Sequence, residues 1–501
     1  MFTCCGEALA HEFFKITVVD EQTKRGVPLV ELRTTNEIRF VTDSNGIVAF
    51  NEPGLMDEDV YFSISSHGYT FPRDGFGNRG KTLHTKPGGE ATIPIQRINL
   101  AQRLYRITGQ GIYADSVLTD TPVPTSQPVL NGKVMGQDSV SCVPYQGRLF
   151  WLWGDTGKQS YPLGNYRTTC ATSPLPGPGV LDPSHGVNLT YFVGDDGFAK
   201  PMVPLEEEGM VWLDGLFTLT DEHGRERLIA RYLRLKDMST LYEVGLVVFN
   251  DEKAQFKRLV KWDLDSPLRD GFGHAIRHST DGVDYVYFAM PFPTLRVRAD
   301  LAHVKDAAAY ETFTPLAPGA RFDKADLKLD RDAGGKLIYG WKRDTGRIGH
   351  AEQRELIKAG ALREDEAFAP LRDVETGKPI VAHTGSCFYN TFRKQWVMVF
   401  TEIFGASAVG EVWYAEATQP LGPWTAARKI VTHDDYSFYN PKHHPYFDSH
   451  DGQFIYFEGT YTRAFSGNRD PTPRYDYNQI MYRLDLSDPR LYMNRAGSKT
   501  P

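Results

Sequence analysis

The chain has 501 residues, with 41% hydrophobic and 24% charged side chains and a formal net charge of -7. That length can bury two or three sizeable cores, and the acidic balance argues against a nucleic-acid or anionic-membrane partner. No apolar run is long enough to span a bilayer. The departure from average is aromatic: 25 Tyr, 29 Phe and 8 Trp, alongside 46 Gly and 31 Pro. It points to an all-β protein with many tight turns. Aromatic rings in such proteins either stack on apolar sugar faces or fill sheet cores, and composition does not choose between the two.

Residues 1–10 contain Ala8-Leu9-Ala10, which fits a small-residue cleavage site, but no charged or long apolar segment precedes it. The stretch reads as a signal-peptide remnant or as an ordinary terminus. The expected location is secreted or periplasmic. The five cysteines show no paired zinc-type spacing. A Cys142–Cys170 disulfide is the less favoured reading of that pair.

Residues 11–100 read as a small β-sandwich. Phe13 to Val19 and Val27 to Arg33 are strand-like, and Phe40 to Phe50 reads as a hairpin on Asn45-Gly46. Tyr61 to Ser65 and Ala91 to Pro94 supply further strands. The order of these segments resembles the transthyretin-like, carboxypeptidase-regulatory type of domain, which implies an accessory module. Residues 101–130 form a connector, rich in Pro and Thr from Thr119 to Pro128.

From residue 131 to 490 one pattern recurs, and residues 491–501 are a tail. The pattern is a polar entry, a β-run, a turn and an apolar return strand. The first copy starts at Asp138, turns around Tyr145 to Arg148 and returns through Leu149 to Trp153, ending at Asp155. Four more begin near Asp214, His274, His383 and Lys442. Weaker outer strands follow several copies, so the expected fold is all-β: a five-bladed β-propeller preceded by a small β-sandwich. The gap from Met290 to Pro379 holds a predicted helix, Ala351 to Ala359, and a strand-like Lys336 to Lys342 that would suit a sixth blade. Leu104 to Ile107 is placed to close the ring by joining the last blade.

In a propeller the first strand of each blade lines the central channel, so entry residues converge. These are Asp138, Asp214, His274, His383 and Lys442 or His443. Return-strand ends add Asp155, Arg231, Glu402 and Glu458. Acids brought close repel, so one is expected to hold its proton while another stays ionised. That division is what glycoside hydrolysis between two carboxylates requires. Asp138, Asp214 and Glu402 are the catalytic candidates. Alone, any one of them would read as a turn or capping residue. Asp155, Trp153, Asn165, Arg167, Arg231, His274, His383, Lys442, His443 and Glu458 are the substrate-binding candidates.

The run Phe150-Trp151-Leu152-Trp153-Gly154-Asp155-Thr156, with Gly410 to Ala417 and Gly422-Pro423-Trp424, resembles the five-bladed propeller glycosidases of the arabinanase and xylosidase type. The resemblance implies a carbohydrate substrate. The Asn-Asp-Pro usual at that family's first blade is replaced by Gln137-Asp138-Ser139. No cofactor is expected, apart from a channel cation such as Ca2+ that related propellers can carry. His274, His383 and His443 are the weaker candidates for a divalent metal site.

Two rivals use the same residues. A polysaccharide lyase would need a His or Tyr base and cations on a uronate: His274, His443 or Tyr439 with Lys442, Arg231 or Arg277. A lectin-like propeller would bind without reacting. The sugar, the linkage and the oligomeric state are not legible.

Overall fold

A computed structural model describes residues 12–165, 167–237, 240–407 and 409–493, side chains excepted at 162, 163 and 165. The candidate cleavage site at Ala8 to Ala10, with Cys4 and Cys5, lies outside the described residues.

Residues 14–97 form two four-stranded sheets. One orders Ile47–Phe50, Phe14–Asp20, Glu90–Arg97 and Tyr69–Thr70; the other orders Arg39–Val41, Glu31–Thr34, Asp59–Ser65 and Gly80–His84. Phe14–Asp20 buries every second residue, which sends Phe14, Ile16 and Val18 into the shared core. The segment Phe40 to Phe50 is not a hairpin. Its two strands belong to different sheets, and the turn between them carries polar groups that dock outside the sandwich. Asp43 accepts from the Ser116 N–H (2.8 Å) and hydroxyl (2.7 Å) of the connector.

Five larger sheets follow in order along the chain, beside one small three-stranded sheet. Blade 1 is Ser141–Tyr145, Arg148–Trp153, Thr169–Pro174 and Thr190–Tyr191, and blade 2 is Met210–Thr220, Glu226–Leu235, Leu241–Asn250 and Gln255–Trp262. Blade 3 is His274–Thr280, Val283–Ala289, Leu295–Arg298 and Glu311–Thr314, with Gly340–Arg343 as a fifth strand. Blade 4 is Ala382–Asn390, Gln395–Glu402, Val412–Ala417 and Ala426–Val431, with Arg372–Asp373 outermost. Blade 5 is Ser437–His443, Phe454–Thr462, Asn478–Asp485 and, from the far end of the sequence, Gln102–Arg106.

These are the blades of a five-bladed propeller. Among the described residues, apolar cores join blades 1 and 2, 2 and 3, 3 and 4, 4 and 5, and 5 and 1. Strand alternation explains how one ribbon serves two of them. On Arg148–Trp153, Phe150 and Leu152 enter the core shared with blade 2, while Leu149, Trp151 and Trp153 enter the core shared with blade 5. The inner strands of all five blades line one small central cavity of ≈ 20 Å³, room for about one water.

Lys336 to Lys342 does not start a sixth blade; it leads into the fifth strand of blade 3. The helix predicted from Ala351 runs His350–Lys358. It packs in a small core with Leu337 and Leu362, forming an insertion between blades 3 and 4. Cys142 and Cys170 are free thiols. They sit on opposite faces of blade 1, Cys142 toward blade 5 and Cys170 toward blade 2, so no disulfide can join them.

Deleting residues 12–107 is expected to abolish the cooperative thermal transition, whereas deleting 12–97 preserves one at lower Tm. Only the first deletion strips Leu104 and Tyr105 from the core between blades 5 and 1, at roughly 2–5 kcal/mol each. Circular dichroism melts of both chains test this; matching melts would show that Gln102–Arg106 does not close the ring.

Candidate functional site

The innermost strands share a local irregularity at their entry. Ser139, Gly215, Gly273 and Asn440 have φ of 56°, 58°, 77° and 51°. The ladder register also slips beside Asp214, beside Ala382 and beside Tyr439. A left-handed residue or bulge here turns the entering chain across the channel mouth and re-aims its side chains. Gly273 tolerates nothing larger, since a Cβ would stand 2.0 Å from the Ala289 carbonyl oxygen. The entries are stitched together: Gly215 N–H donates to Gly273 (2.9 Å), and the Asn440 amide donates to the Ser139 hydroxyl (2.7 Å). Asp138 is therefore not the first residue of a strand. It precedes a left-handed turn, and that turn places its carboxylate.

Asp138 is a hub. Its Oδ1 accepts from the Asp155 N–H at 2.8 Å, and its Oδ2 accepts from Tyr439 (2.7 Å) and Ser139 (3.1 Å). The Tyr477 hydroxyl also bonds to it. Burial nevertheless raises its affinity for a proton, more than those donors lower it. Asp155 lies beside it and accepts from Trp212 Nε1 of blade 2 (3.0 Å). Burial, then the neighbouring Asp138 charge, push the Asp155 carboxyl up to about 6. Two acids with different environments thus share one end of the first hairpin.

Asp214 stands at the corresponding entry of blade 2. Arg231, fully buried, forks onto it at 2.8 and 2.9 Å, and the Phe272 N–H donates at 2.8 Å. The third Arg231 donor holds the Arg269 carbonyl oxygen (3.2 Å), so residues 269–272 wrap around Asp214. Lys442 of blade 5 lines the channel. Burial draws its ammonium down to about 8, against the pull of the Asp214 charge.

Other candidates do not join this cluster. Glu402 accepts from Trp413 Nε1 (3.0 Å), and its charged neighbours Lys429, Glu411 and Asp373 belong to the outer half of blade 4 and the loop beside it. It lies on the second strand of blade 4, one strand out from the channel. Trp153 is 0% exposed and stacked on Trp151 at 6.0 Å; it is core and cannot reach a substrate. Glu458 is fully buried against His444 (2.7 Å), between blades 5 and 1. His274 bridges blades 3 and 4 through the Cys387 backbone (3.1 Å). Burial pushes its imidazole down to about 3, which fits a neutral structural role. His443 is buried and bonded to Asp448 (2.8 Å). His383 instead stands exposed on a groove over blade 3. The three histidines do not converge, and among the described residues no three His, Cys, Asp or Glu side chains are grouped to hold a metal. Arg167 donates to the Gly209 carbonyl oxygen (3.3 Å). The side chain of Asn165 lies outside the described residues. Its backbone closes a strand, Tyr161–Asn165, in a small sheet with Val134–Gln137 and Thr156–Lys158.

Tyr439, Tyr477 and Trp212 hold the two acids. Tyr439 is the lyase-base candidate of the sequence, whereas Tyr477 looks there like an ordinary core aromatic. On the rim, Phe404 is 80% exposed and Phe465 is 68% exposed, and both have φ of 65°. A bulky side chain in that conformation is strained by roughly 1–3 kcal/mol. Phe465 lies edge-on to Tyr439 at 5.7 Å. The loop carrying Phe404 binds the same entry strand, the Phe438 N–H donating to Val409 (3.0 Å).

No protein-family model matches the chain, and neither does any curated protein. Solved structures similar to it include an exo-β-1,3-galactanase from Phanerochaete chrysosporium with galactose, at 9% identity and a TM-score of 0.37. That alignment covers 77% of this chain and 65% of the galactanase chain, just under two thirds of its length. An enzyme from Xanthomonas citri complexed with xylose aligns at 11% identity and a TM-score of 0.33, over 71% of this chain and 88% of that one. A thermostable family-43 glycoside hydrolase aligns at 14% identity and a TM-score of 0.30, over 73% of this chain and 95% of that one. At these scores the propeller rests on the strand pairing itself, and the site on its own side-chain geometry.

Asp155 supplies a direct test of this geometry. A carboxyl raised from 3.8 to about 6 favours folding fully below about pH 4, and that contribution is lost as pH rises through 6. Asp155→Asn is therefore expected to be more stable than wild type at pH 7.5, by at most about 2 kcal/mol given the partial exposure of the group, and so to melt at a higher Tm. At pH 4 the two should melt together. A pH-independent difference would show that Asp155 is not held protonated by its surroundings.

Proposed function

We propose that this protein is a glycoside hydrolase that acts on a poly- or oligosaccharide at the mouth of its propeller channel. The observation that carries the reading is the Asp138–Asp155 pair. One carboxylate is fixed in place by four donors, and its neighbour titrates near 6. Glycoside hydrolysis needs one carboxyl that delivers a proton to the leaving oxygen and one carboxylate that faces the anomeric centre. In this reading Asp155 is the proton donor, because its carboxyl is pushed up to about 6 and, while both oxygens of Asp138 are taken, it accepts only from Trp212 Nε1. Asp138 is the carboxylate that attacks or directs water, its lone pairs steered by Tyr439, Tyr477 and Ser139. Asp214, with both oxygens taken by Arg231 and the Phe272 N–H, positions hydroxyl groups beside them. Glu402 keeps a place in the rim, near Phe404, as a binding group.

A lyase would need a free base. Tyr439 donates to Asp138, and burial raises its phenol well above its ordinary range; His274 is walled in. Neither is free to abstract a proton.

Asp138→Asn is expected to lower kcat/KM for release of reducing ends by roughly 10²–10⁴-fold while glycan binding persists. Asp155→Asn should remove the alkaline limb, the fall as pH rises through about 6, from the pH profile of kcat. A product absorbing in the ultraviolet would carry the lyase reading instead, and binding with no turnover in wild type would carry the lectin reading.

A further inference from the structure

Beside Asp214 the mouth opens into a groove of ≈ 1050 Å³. Its floor is the entry of blade 3, and its far wall is the insertion between blades 3 and 4. Arg347, from that insertion, reaches back to the site. Its Nη2 donates to the Gly271 carbonyl oxygen at 2.8 Å, in the segment that wraps Asp214. A guanidinium carries five N–H donors in a rigid planar fork. Among the described residues this is the one hydrogen bond Arg347 makes, and it forms no ion pair. Its remaining nitrogens are not buried, so they open on the groove. Asp270, Asp214 and Glu352 act on it only at longer range, and Arg231 repels it. Arg269 on the opposite lip is exposed and, among the described residues, also has no ion-pair partner. By contrast Arg321, on the same groove, is matched by Asp344 (2.6 Å).

A half-buried arginine with an unfilled fork is suited to a planar, two-oxygen anion. We infer that this groove recognises an acidic sugar residue, placing its anionic group on Arg347 with Arg269 in support. The shared chemistry is a carboxylate or sulfate oxygen pair, from a uronic acid or from a sulfate ester. This inference rests on the carbohydrate reading above and adds a substrate class to it. Asp265, Asp270 and Glu352 also line the groove; they would reject an anion placed away from the fork, which sharpens the register.

The test is retention on an immobilised glycan panel that contains neutral, uronate-bearing and sulfated oligosaccharides, using full-length wild type, Arg347→Ala, Arg347→Lys and Arg269→Ala. Wild type should retain acidic glycans at least 10-fold better than neutral ones, with retention falling as salt rises. Arg347→Ala should lose that preference. Arg347→Lys should restore it only in part, since an ammonium cannot make the paired contact. Arg269→Ala, an exposed change that leaves Tm unaltered, should weaken it severalfold and guards against misfolding of the Arg347 variants. Uronate and sulfated members of the panel separate the two sources. Equal retention of neutral and acidic glycans, unchanged acidic retention in Arg347→Ala, or no retention of any glycan overturns the inference. Acidic retention without release of reducing ends would overturn the hydrolase reading and leave this one standing.

Discussion

A propeller has no core of its own until its ring is closed, and here one strand from the wrong end of the sequence does the closing. Gln102–Arg106 pairs with Asn478–Asp485, nearly four hundred residues later. Leu104 and Tyr105 then fill the core between blades 5 and 1. Each blade is a sheet with two apolar faces, and an open ring would leave two such faces in water. The loss would be entropically modest in chain closure but large in buried area. The polar groups of the same strand do a second job. Arg103, buried, bonds to the Leu29 and His67 carbonyl oxygens and the Ser66 hydroxyl of the sandwich. The Arg106 N–H meets the Ser44 hydroxyl (3.1 Å). The strand that completes the propeller thus also fastens the N-terminal sheets to it.

Closure has a consequence at the axis. Five entry strands crowd around a cavity that holds about one water, so no substrate can enter the channel itself. Room for a ligand is left at the mouth, beside the left-handed turns at Ser139, Gly215, Gly273 and Asn440. Ser139 and Asn440 are not glycines, and each accepts some backbone strain. Their mutual hydrogen bond ties blade 5 to blade 1 directly beneath Asp138. The strain, the two tyrosines and the raised Asp155 all fall on this one spot, which is why it stands out from other buried acids. Glu458 is equally buried, but it is paired with His444 inside a blade interface and touches no open space.

The mouth is asymmetric. Blades 4 and 5 present exposed aromatic rings, Phe404 and Phe465. Blade 3 presents polar and charged groups along a groove walled by its insertion. A chain-like ligand with one apolar and one charged end would meet both, with Asp138, Asp155 and Asp214 between them.

Periodic features were legible in the sequence. The recurring entry, turn and apolar return determined the blade count, because a ribbon buried on both faces must alternate in one way along its length. The strand near Leu104 was legible as an unpaired apolar run, as was the pairing of Asp138 with Asp155 across one hairpin. Positions that depend on radius or on facing partners were not legible. Trp153 and Asp155 are two residues apart, and only the packing of blade 5 against blade 1 decides that the first is core and the second is open. Glu402 and Asp214 look alike as acids near strand ends; the distance of each strand from the axis separates them. Tyr439, Tyr477 and Arg347 carry no local signature, since what matters is the group each one faces. The sequence by itself determined which strands form and in what repeat, through side-chain periodicity. Only the tertiary structure decided what surrounds those acids, because closing the ring brings Tyr439 and Asn440 against Asp138 and Ser139, three hundred positions away.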